Sequence, residues 1–370
     1  MRFAVLGAGS AGQGLASYLA LKGIDVALFN PPLHAEQFAT ILRERAIKVS
    51  GVIEGRACLA RTSCDIREIV PEADVVLMTL RAFAHKSILE SCLPYLRDGQ
   101  LVVVVTGYWA SLRLRPLLQT LHDDILIAET TLLPLVSEAI GPAEVKISGI
   151  KSKVKVSAFP ANRTNEVIER LKDALPQLVP GENVLDTNLD SFNPIFHTPI
   201  ALFNLGCLER ERNFEFYHKG TTLKIAAVMD CMDEERRNLA TKLGLKLGPA
   251  IDSLKLYYGA TGATTYEVFQ SCNAYKGYVL PNVFDYIRED VPYGLVPIAS
   301  LCDALGIPCR ATKAVISAWS VVDGVDYWQQ GIAVKELGLD GMDVSQIVEL
   351  VSTGQASPKA GKGNLLSSIR

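Results

Sequence analysis

The sequence predicts an α/β fold in two parts: a doubly wound domain over residues 1–187, followed by an all-helical domain over 188–370. Three observations predict it. A short apolar run at residues 3–6 passes directly into Gly7, Gly9 and Gly12, spaced G-x-G-x-x-G. Continuous apolar runs such as DVVLMTL at 74–80, the mark of strands covered on both faces, alternate with helical periodicity through the first half. Beyond residue 195 the apolar residues recur almost only at helical spacing.

Taken in order, residues 1–22 read as strand, tight turn and helix. Gly7 permits the turn, Gly9 keeps a side chain out of the path of a pyrophosphate, and Gly12 lets the helix sit close on the strand. The helix start, around Ser10 and Ala11, offers unpaired N–H groups and a positive dipole end to phosphate. This is a Rossmann-type turn, and it points to a dinucleotide cofactor. The second strand ends at Phe29-Asn30, where an NAD-specific domain usually has Asp or Glu to accept from the ribose 2′-hydroxyl. Neutral Asn30 removes the repulsion toward a 2′-phosphate and tilts the reading to NADP. Pro31-Pro32 leave no companion arginine, so NAD stays open.

Residues 33–45 read as a helix, and the runs around Lys48 and Arg56 as a hairpin broken by Gly51 and Gly55. Buried strands follow at 74–80 and 101–105, with helical periodicity at 84–96 between them. Their ends, Thr79-Leu80 and Thr106-Gly107, fall at the carboxyl edge of the sheet, where ligands bind in open α/β folds. His85, close to that edge, reads as a solvated or helix-capping residue. Residues 125–129 form a further strand with Thr130-Thr131 at its end, β-rich runs follow near 144–147 and 153–158, and 165–175 is helical. The second half reads as long helices at 195–209, 222–243, 249–257, 295–305 and 312–320; only the Gly/Ser/Lys-rich tail after Gly354 looks loosely held.

The chain's 370 residues suit two domains of common size, and 49% hydrophobic with 21% charged residues is globular composition. A net charge of -3 without a dense Lys/Arg block argues against nucleic acid or an anionic membrane as partner, so a small molecule is expected. No apolar run is long enough to span a membrane, and a first strand beginning at once leaves no room for a cleavable signal, so a cytoplasmic protein is expected. The eight cysteines are scattered without metal spacing; the expectation is buried, reduced thiols and no metal.

An α/β nucleotide domain followed by a helical one puts the active site in the cleft between them. His197, in NPIFHTP, stands near the start of the first long helix, and a histidine beside a nicotinamide suits proton exchange because its ordinary pKa lies close to neutrality. Packing or capping at the helix start is the equal alternative. Further on, REDVPYGL places Glu289 and Asp290 in a turn before another helix, a pattern that by itself reads as an N-terminal cap.

Together these residues resemble the opine dehydrogenase family, the octopine, nopaline and related secondary-amine dehydrogenases. The resemblance rests on GAGSAG, on Glu129-Thr130 with Leu133-Pro134, on Asn193 and His197, on FEFYHKGTT, on Asp233 with Glu235-Arg236, on EDVPYGL and on Leu337-Gly338-Leu339. It implies NAD(P)H-dependent reductive condensation of a 2-oxo acid with the amino group of an amino acid or amine. It further implies His197 as general acid and base, Asp290 as its orienting carboxylate and Asn193 as a hydrogen bonder to substrate; Thr130, at a strand end, is a further candidate substrate residue, and a homodimer is a possible assembly. The chain departs from the family at two places. Asp285 stands where an arginine is common, and Leu135-Val136-Ser137-Glu138 lacks another. Asp285 is therefore expected to face a cationic or neutral part of the substrate, with Arg288 as the nearest base for the 2-oxo acid carboxylate, the alternative being an exposed Asp285–Arg288 pair. Two other readings stand beside this one. A ketopantoate-reductase-like or β-hydroxyacid dehydrogenase would use a lysine, with Lys219 and Lys224 the nearest. A non-catalytic NADP sensor would not need His197 and Asp290 to meet.

Overall fold

The protein's structure, a computed structural model, describes residues 1–119, 124–211, 213–280 and 282–357. The tail expected to be loosely held lies, from residue 358 on, outside the described residues. The strands in chain order are β1 (Arg2–Leu6), β2 (Asp25–Phe29), β3 (Ala46–Gly51), β4 (Gly55–Cys58), β5 (Arg61–Ser63), β6 (Val75–Met78), β7 (Leu101–Val104), β8 (Leu126–Thr130), β9 (Leu135–Gly141), β10 (Glu144–Ile150), β11 (Val154–Phe159) and β12 (Leu178–Pro180). Eight of them form one sheet in the order β12-β11-β8-β7-β6-β1-β2-β5. The run from β5 to β8 is parallel and doubly wound, while β11 returns antiparallel to β8. β1, β6 and β7 are buried at nearly every position, as uninterrupted Val/Leu runs require when both faces are covered.

Four strands leave the expected single sheet and build a second one, β4-β3-β10-β9. The hairpin at Lys48 and Arg56 is present, but β10 pairs with β3, and the segment 135–141, not foreseen as a strand, pairs antiparallel with β10. Only long-range pairing decides this, since the local pattern of β9 has three half-buried and three exposed positions after its first residue. This small sheet lies on the first helix, Ser10–Leu21. The Ala139 N–H donates to the Ser10 hydroxyl, and a Cβ added at Gly14 would stand 2.4 Å from the Ser137 hydroxyl.

Among the described residues no strand follows β12, and the chain runs through helices from Val184 onward, residues 187 and 188 lying inside helix Val184–Leu189. The expected helix 195–209 is broken at Asn204 into Asn193–Phe203 and Leu205–Arg210. The Asn204 side chain donates to the carbonyls of Ile200 and Gly220, which ties the break to the following loop. The carboxylates of EDVPYGL do not cap a new helix. Helix Val283–Glu289 passes through a stretch of wider π-type turns, Asp290–Leu295, into helix Val296–Ala304. Pro292 lacks an N–H, and such insertions concentrate at functional sites. Gly294 permits the closest approach here, because a Cβ there would meet the Pro194 ring at 2.4 Å. The two motifs NPIFH and VPYG are thus pressed against each other.

Cys92, Cys272, Cys302 and Cys309 are buried as expected, whereas Cys58 and Cys231 are exposed; the cysteines are free thiols. No helix among the described residues is long and apolar enough to cross a membrane.

The glycine turn makes a stability prediction. Gly7 takes φ +107°, and a Cβ at Gly12 would stand 1.7 Å from the Gly7 carbonyl oxygen and 2.7 Å from the Thr79 hydroxyl, whereas one at Gly9 meets nothing within 4 Å. Gly12→Ala is expected to cost about 1–3 kcal/mol or more through overpacking, and Gly9→Ala to leave Tm almost unchanged. Thermal melts of the two variants without ligand check the contrast.

Candidate active site

The glycine turn lies at the end of β1 with the N-terminus of helix Ser10–Leu21 facing outward. Gly9 and Ser10 are exposed, and no side chain caps the first N–H groups. Asn30 does not wait for a ribose. Its side-chain oxygen accepts from the Ala8 N–H at 3.0 Å and its amide donates to the His34 carbonyl at 3.1 Å, so it staples the glycine loop to the end of β2. Thr79 is spent similarly, its hydroxyl lying 3.0 Å from the Leu6 and 3.1 Å from the Gly7 carbonyl, while Leu80 packs on Gly7.

His197 and Asp290, 93 residues apart, meet. His197 Nδ1 lies 2.7 Å from Asp290 Oδ2, with the two residues only 5% and 1% exposed. A carboxylate only accepts, so Nδ1 carries the proton and Nε2 is the variable position. Nε2 is met by the Tyr217 hydroxyl at 2.8 Å, and the second oxygen of Asp290 accepts from the Tyr108 hydroxyl at 2.7 Å. The result is one buried chain, Tyr217–His197–Asp290–Tyr108, running from the helical part into the loop after β7. Asn193, the first residue of the helix carrying His197, is half-buried one turn before it and so on the same face.

Tyr108 reaches Asp290 at a backbone cost. Tyr108 and Trp109 both take left-handed conformations, φ 50° and 63°, which typically cost on the order of 1–3 kcal/mol each for residues with a Cβ. Neighbouring bonds over-determine the loop. The Trp109 N–H donates to the Asn188 side-chain oxygen at 2.6 Å, the Ala110 N–H donates to Glu129 at 2.9 Å, and the Asn188 amide donates to the other Glu129 oxygen at 3.0 Å. Burial pushes the Glu129 carboxyl up to about 7, against the pull of Asn188 and Arg113.

A second bridge stands beside the first. Glu289 accepts from Arg81 at 2.8 Å and from the Ala82 N–H at 2.6 Å, and the Arg81 guanidinium lies 4.4 Å from the centroid of Tyr286, whose ring in turn faces His197. Burial raises the Glu289 carboxyl while Arg81 pulls it down.

His85 departs from expectation: it is wholly buried rather than solvated. Its Nε2–H donates to the Leu80 carbonyl at 3.1 Å, so Nδ1 is the acceptor for Arg113 at 3.2 Å, and burial with Arg113 beside it lowers its pKa to about 3. It is a neutral strut. Thr130 is also corrected: its buried hydroxyl donates to the Leu132 carbonyl and closes the turn after β8. Asp285 and Arg288 are the clearest correction. Their side chains are 54% and 63% exposed and pair with each other at 3.7 Å, while Val283, Ile287 and Glu289 of the same helix are buried. Residues three apart are neighbours on a helix, so the two meet each other at the surface, the alternative stated for them. Lys219 pairs with Glu215 at the surface and Lys224 is exposed, which leaves the lysine-based reading without its acid.

Tyr108 and Arg81 had no signal of their own in the sequence; Glu129 and Tyr217 stood inside quoted motifs without a role, and Glu289 was read only as part of a helix cap.

Both parts of the chain are similar to known proteins. A model described as NAD/NADP octopine/nopaline dehydrogenase, alpha-helical domain, matches residues 180–322, and one for ketopantoate reductase PanE/ApbA matches residues 3–160. An opine dehydrogenase of Arthrobacter sp. (strain 1C) is 31% identical over 350 residues, covering 93% of this chain and 97% of that protein. This chain belongs to the opine dehydrogenase family. It is accordingly an NAD(P)-dependent oxidoreductase of the class acting on CH–NH bonds, and reductive condensation is favoured over the ketopantoate-reductase and sensor readings. A D-nopaline dehydrogenase of Agrobacterium vitis is 25% identical, covering 85% of this chain and 84% of that one. In fold, the chain resembles octopine dehydrogenase in complex with NADH and agmatine, with TM-score 0.80 and 18% identity over 97% of this chain and 99% of that one. It also resembles NADP+-bound yersinopine dehydrogenase, with TM-score 0.70 and 16% identity over 95% and 98%. The ketopantoate reductase family model matches residues 3–160 alone.

Two predictions follow from the site's electrostatics and its exposed pair. Glu129 has a folded pKa of about 7, above its ordinary value, so its contribution to stability is complete below about pH 4.5 and is lost as pH rises toward and through 7. In Glu129→Gln, Tm should fall less steeply between pH 5 and 8 than in the parent, as calorimetry across that range would record. Asp285→Ala and Arg288→Ala should leave kcat/KM for both organic substrates within about twofold, since an exposed pair contributes little; steady-state kinetics checks this.

Proposed function

We propose that this chain condenses a 2-oxo acid with the amino group of an amino acid or amine and reduces the product with NAD(P)H, using His197 as general acid and base and Asp290 as its orienting carboxylate. The buried 2.7 Å contact between His197 and Asp290 is the observation that supports it most. A carboxylate behind an imidazole holds one tautomer and stabilises the cationic ring, which suits a group that must take a proton from an ammonium and return one to departing water. Asn193, one turn before His197 on the same helix, is the residue we assign to hydrogen-bond the substrate.

The glycine turn fits the cofactor. Gly9 leaves open space where a pyrophosphate would come, Gly7 and Gly12 set the turn, and the N–H groups at Ser10 and Ala11 start an uncapped helix. When bound there, the nicotinamide supplies the hydride. Asn30 presents no negative charge at the ribose, and its oxygen is already shared with Ala8, so discrimination against a 2′-phosphate is weak. NADPH is therefore expected to serve at least as well as NADH, and a kcat/KM favouring NADH by more than tenfold, about 1.4 kcal/mol, would contradict this.

The decisive assay is NAD(P)H oxidation with a panel of 2-oxo acids, each with and without amines; the reading requires dependence on both. His197→Ala and Asp290→Asn should each lower kcat by about 10²-fold or more while NADPH affinity stays nearly unchanged. The double variant should be little worse than either single, because the pair acts as a unit. Additive losses would separate the two residues.

A further inference from the structure

His197 has no free nitrogen. Nδ1 faces Asp290 and Nε2 faces the Tyr217 hydroxyl at 2.8 Å, with the imidazole almost fully covered. A substrate that exchanges a proton with this histidine must either displace Tyr217 or act through it. Displacement is opposed by packing. The Tyr217 ring stacks on Tyr275 with centroids 4.0 Å apart and planes 16° from parallel, lies 5.7 Å from Tyr278, and meets Phe216 edge-on at 5.0 Å. Tyr275 and Phe216 are themselves buried. Swinging the ring out would forfeit these aromatic contacts and leave a void the size of a phenol.

We propose that Tyr217 is a catalytic residue: its hydroxyl meets the substrate and passes protons between it and His197. The inference rests on the condensation chemistry above and assigns the group that touches the reacting atoms. The amine arrives as an ammonium. One N–H proton moves to the Tyr217 oxygen as the tyrosine's own proton moves to His197 Nε2, leaving a neutral amine and an imidazolium held by Asp290. The amine lone pair adds to the ketone carbon, the carbonyl π pair goes to oxygen, and a proton shift from nitrogen to oxygen gives the carbinolamine. Its C–O bond then breaks with the electron pair leaving on the hydroxyl, which takes the Tyr217 proton as Nε2 returns one to the tyrosine oxygen. Water departs, the nitrogen lone pair forms C=N, and His197 is neutral again. One proton is borrowed from the ammonium and returned, and no further co-reactant is needed. Burial, with Tyr278, Tyr286, Tyr258 and Asp290 adding to it, pushes the Tyr217 phenol well above its ordinary pKa. A free phenolate is therefore disfavoured, and the proton leaving the tyrosine is replaced from Nε2 as it goes.

The test is Tyr217→Phe, which keeps the stacked ring and removes the hydroxyl. The parent enzyme is assayed first; if it does not require both a 2-oxo acid and an amine, the condensation reading itself fails. With that dependence present, the relay predicts that Tyr217→Phe lowers kcat by about 10²-fold or more. KM for both substrates and Kd for NADPH should stay within about threefold, and Tm close to the parent's. A kcat within threefold of the parent would sink the relay, a higher one would make Tyr217 a cover over Nε2, and a raised KM at unchanged kcat would make it a binding residue only. Should the phenylalanine variant fold poorly, 3,5-difluorotyrosine at 217 preserves ring and hydroxyl while making the proton more acidic; the relay then requires kcat to change, and an unchanged kcat overturns it.

Discussion

Asp290 is a carboxylate almost wholly withdrawn from water, and the surrounding architecture follows from answering its oxygens. A buried carboxylate is tolerated only when donors meet it. Here one donor is an imidazole and the other a phenol, and they come from different parts of the chain: His197 from the first long helix beyond the sheet, and Tyr108 from the loop after β7. The same bonds that satisfy the charge therefore hold the helical part against the nucleotide-binding part. Glu289, the preceding residue, repeats the arrangement with Arg81 and the Ala82 N–H at the end of β6. Two adjacent carboxylates on one helical segment thus tie it to the segments that follow β6 and β7.

Precise placement of that segment has structural requirements on either side. The π-type turns at Asp290–Leu295 widen the helix around Pro292, and Gly294 lets Pro194 come into contact, which brings the helix of His197 alongside. On the other wall, the left-handed pair Tyr108 and Trp109 stores strain that Asn188 and Glu129 offset through hydrogen bonds. Gly107 is needed beneath them, because a Cβ there would stand 2.2 Å from the Glu129 carboxylate. Residues that never approach the substrate in this scheme, Glu129 and Asn188 among them, set the position of one that touches Asp290.

Much of this was legible in advance, for definite reasons. The glycine turn, the doubly wound strands and the helical second half are local patterns, and their spacing alone specifies them. His197 and Asp290 were identified through motif resemblance, and the structure brings them within hydrogen-bonding distance. Asn30 was correctly located at the end of β2 but read as facing a ribose; its amide is consumed by Ala8 and His34, contacts between residues that close the turn. For Asp285, which stands where an arginine is common in the family, and Arg288, the nearest base, the structure has the exposed pair that was the alternative to a substrate role.

By itself, then, the sequence determined the order of most elements, the glycine turn after β1, the lack of a dense Lys/Arg block and the family's pair of polar motifs, since all of these are written in composition or in near-neighbour spacing. Tertiary structure alone decided the second sheet, the π-type insertion, the tyrosines at both ends of the dyad and which charged residues are buried beside it. Those depend on pairings between residues tens to hundreds of positions apart. A side chain's partner is fixed by where its backbone is carried, and periodicity gives the direction of that path only within one element.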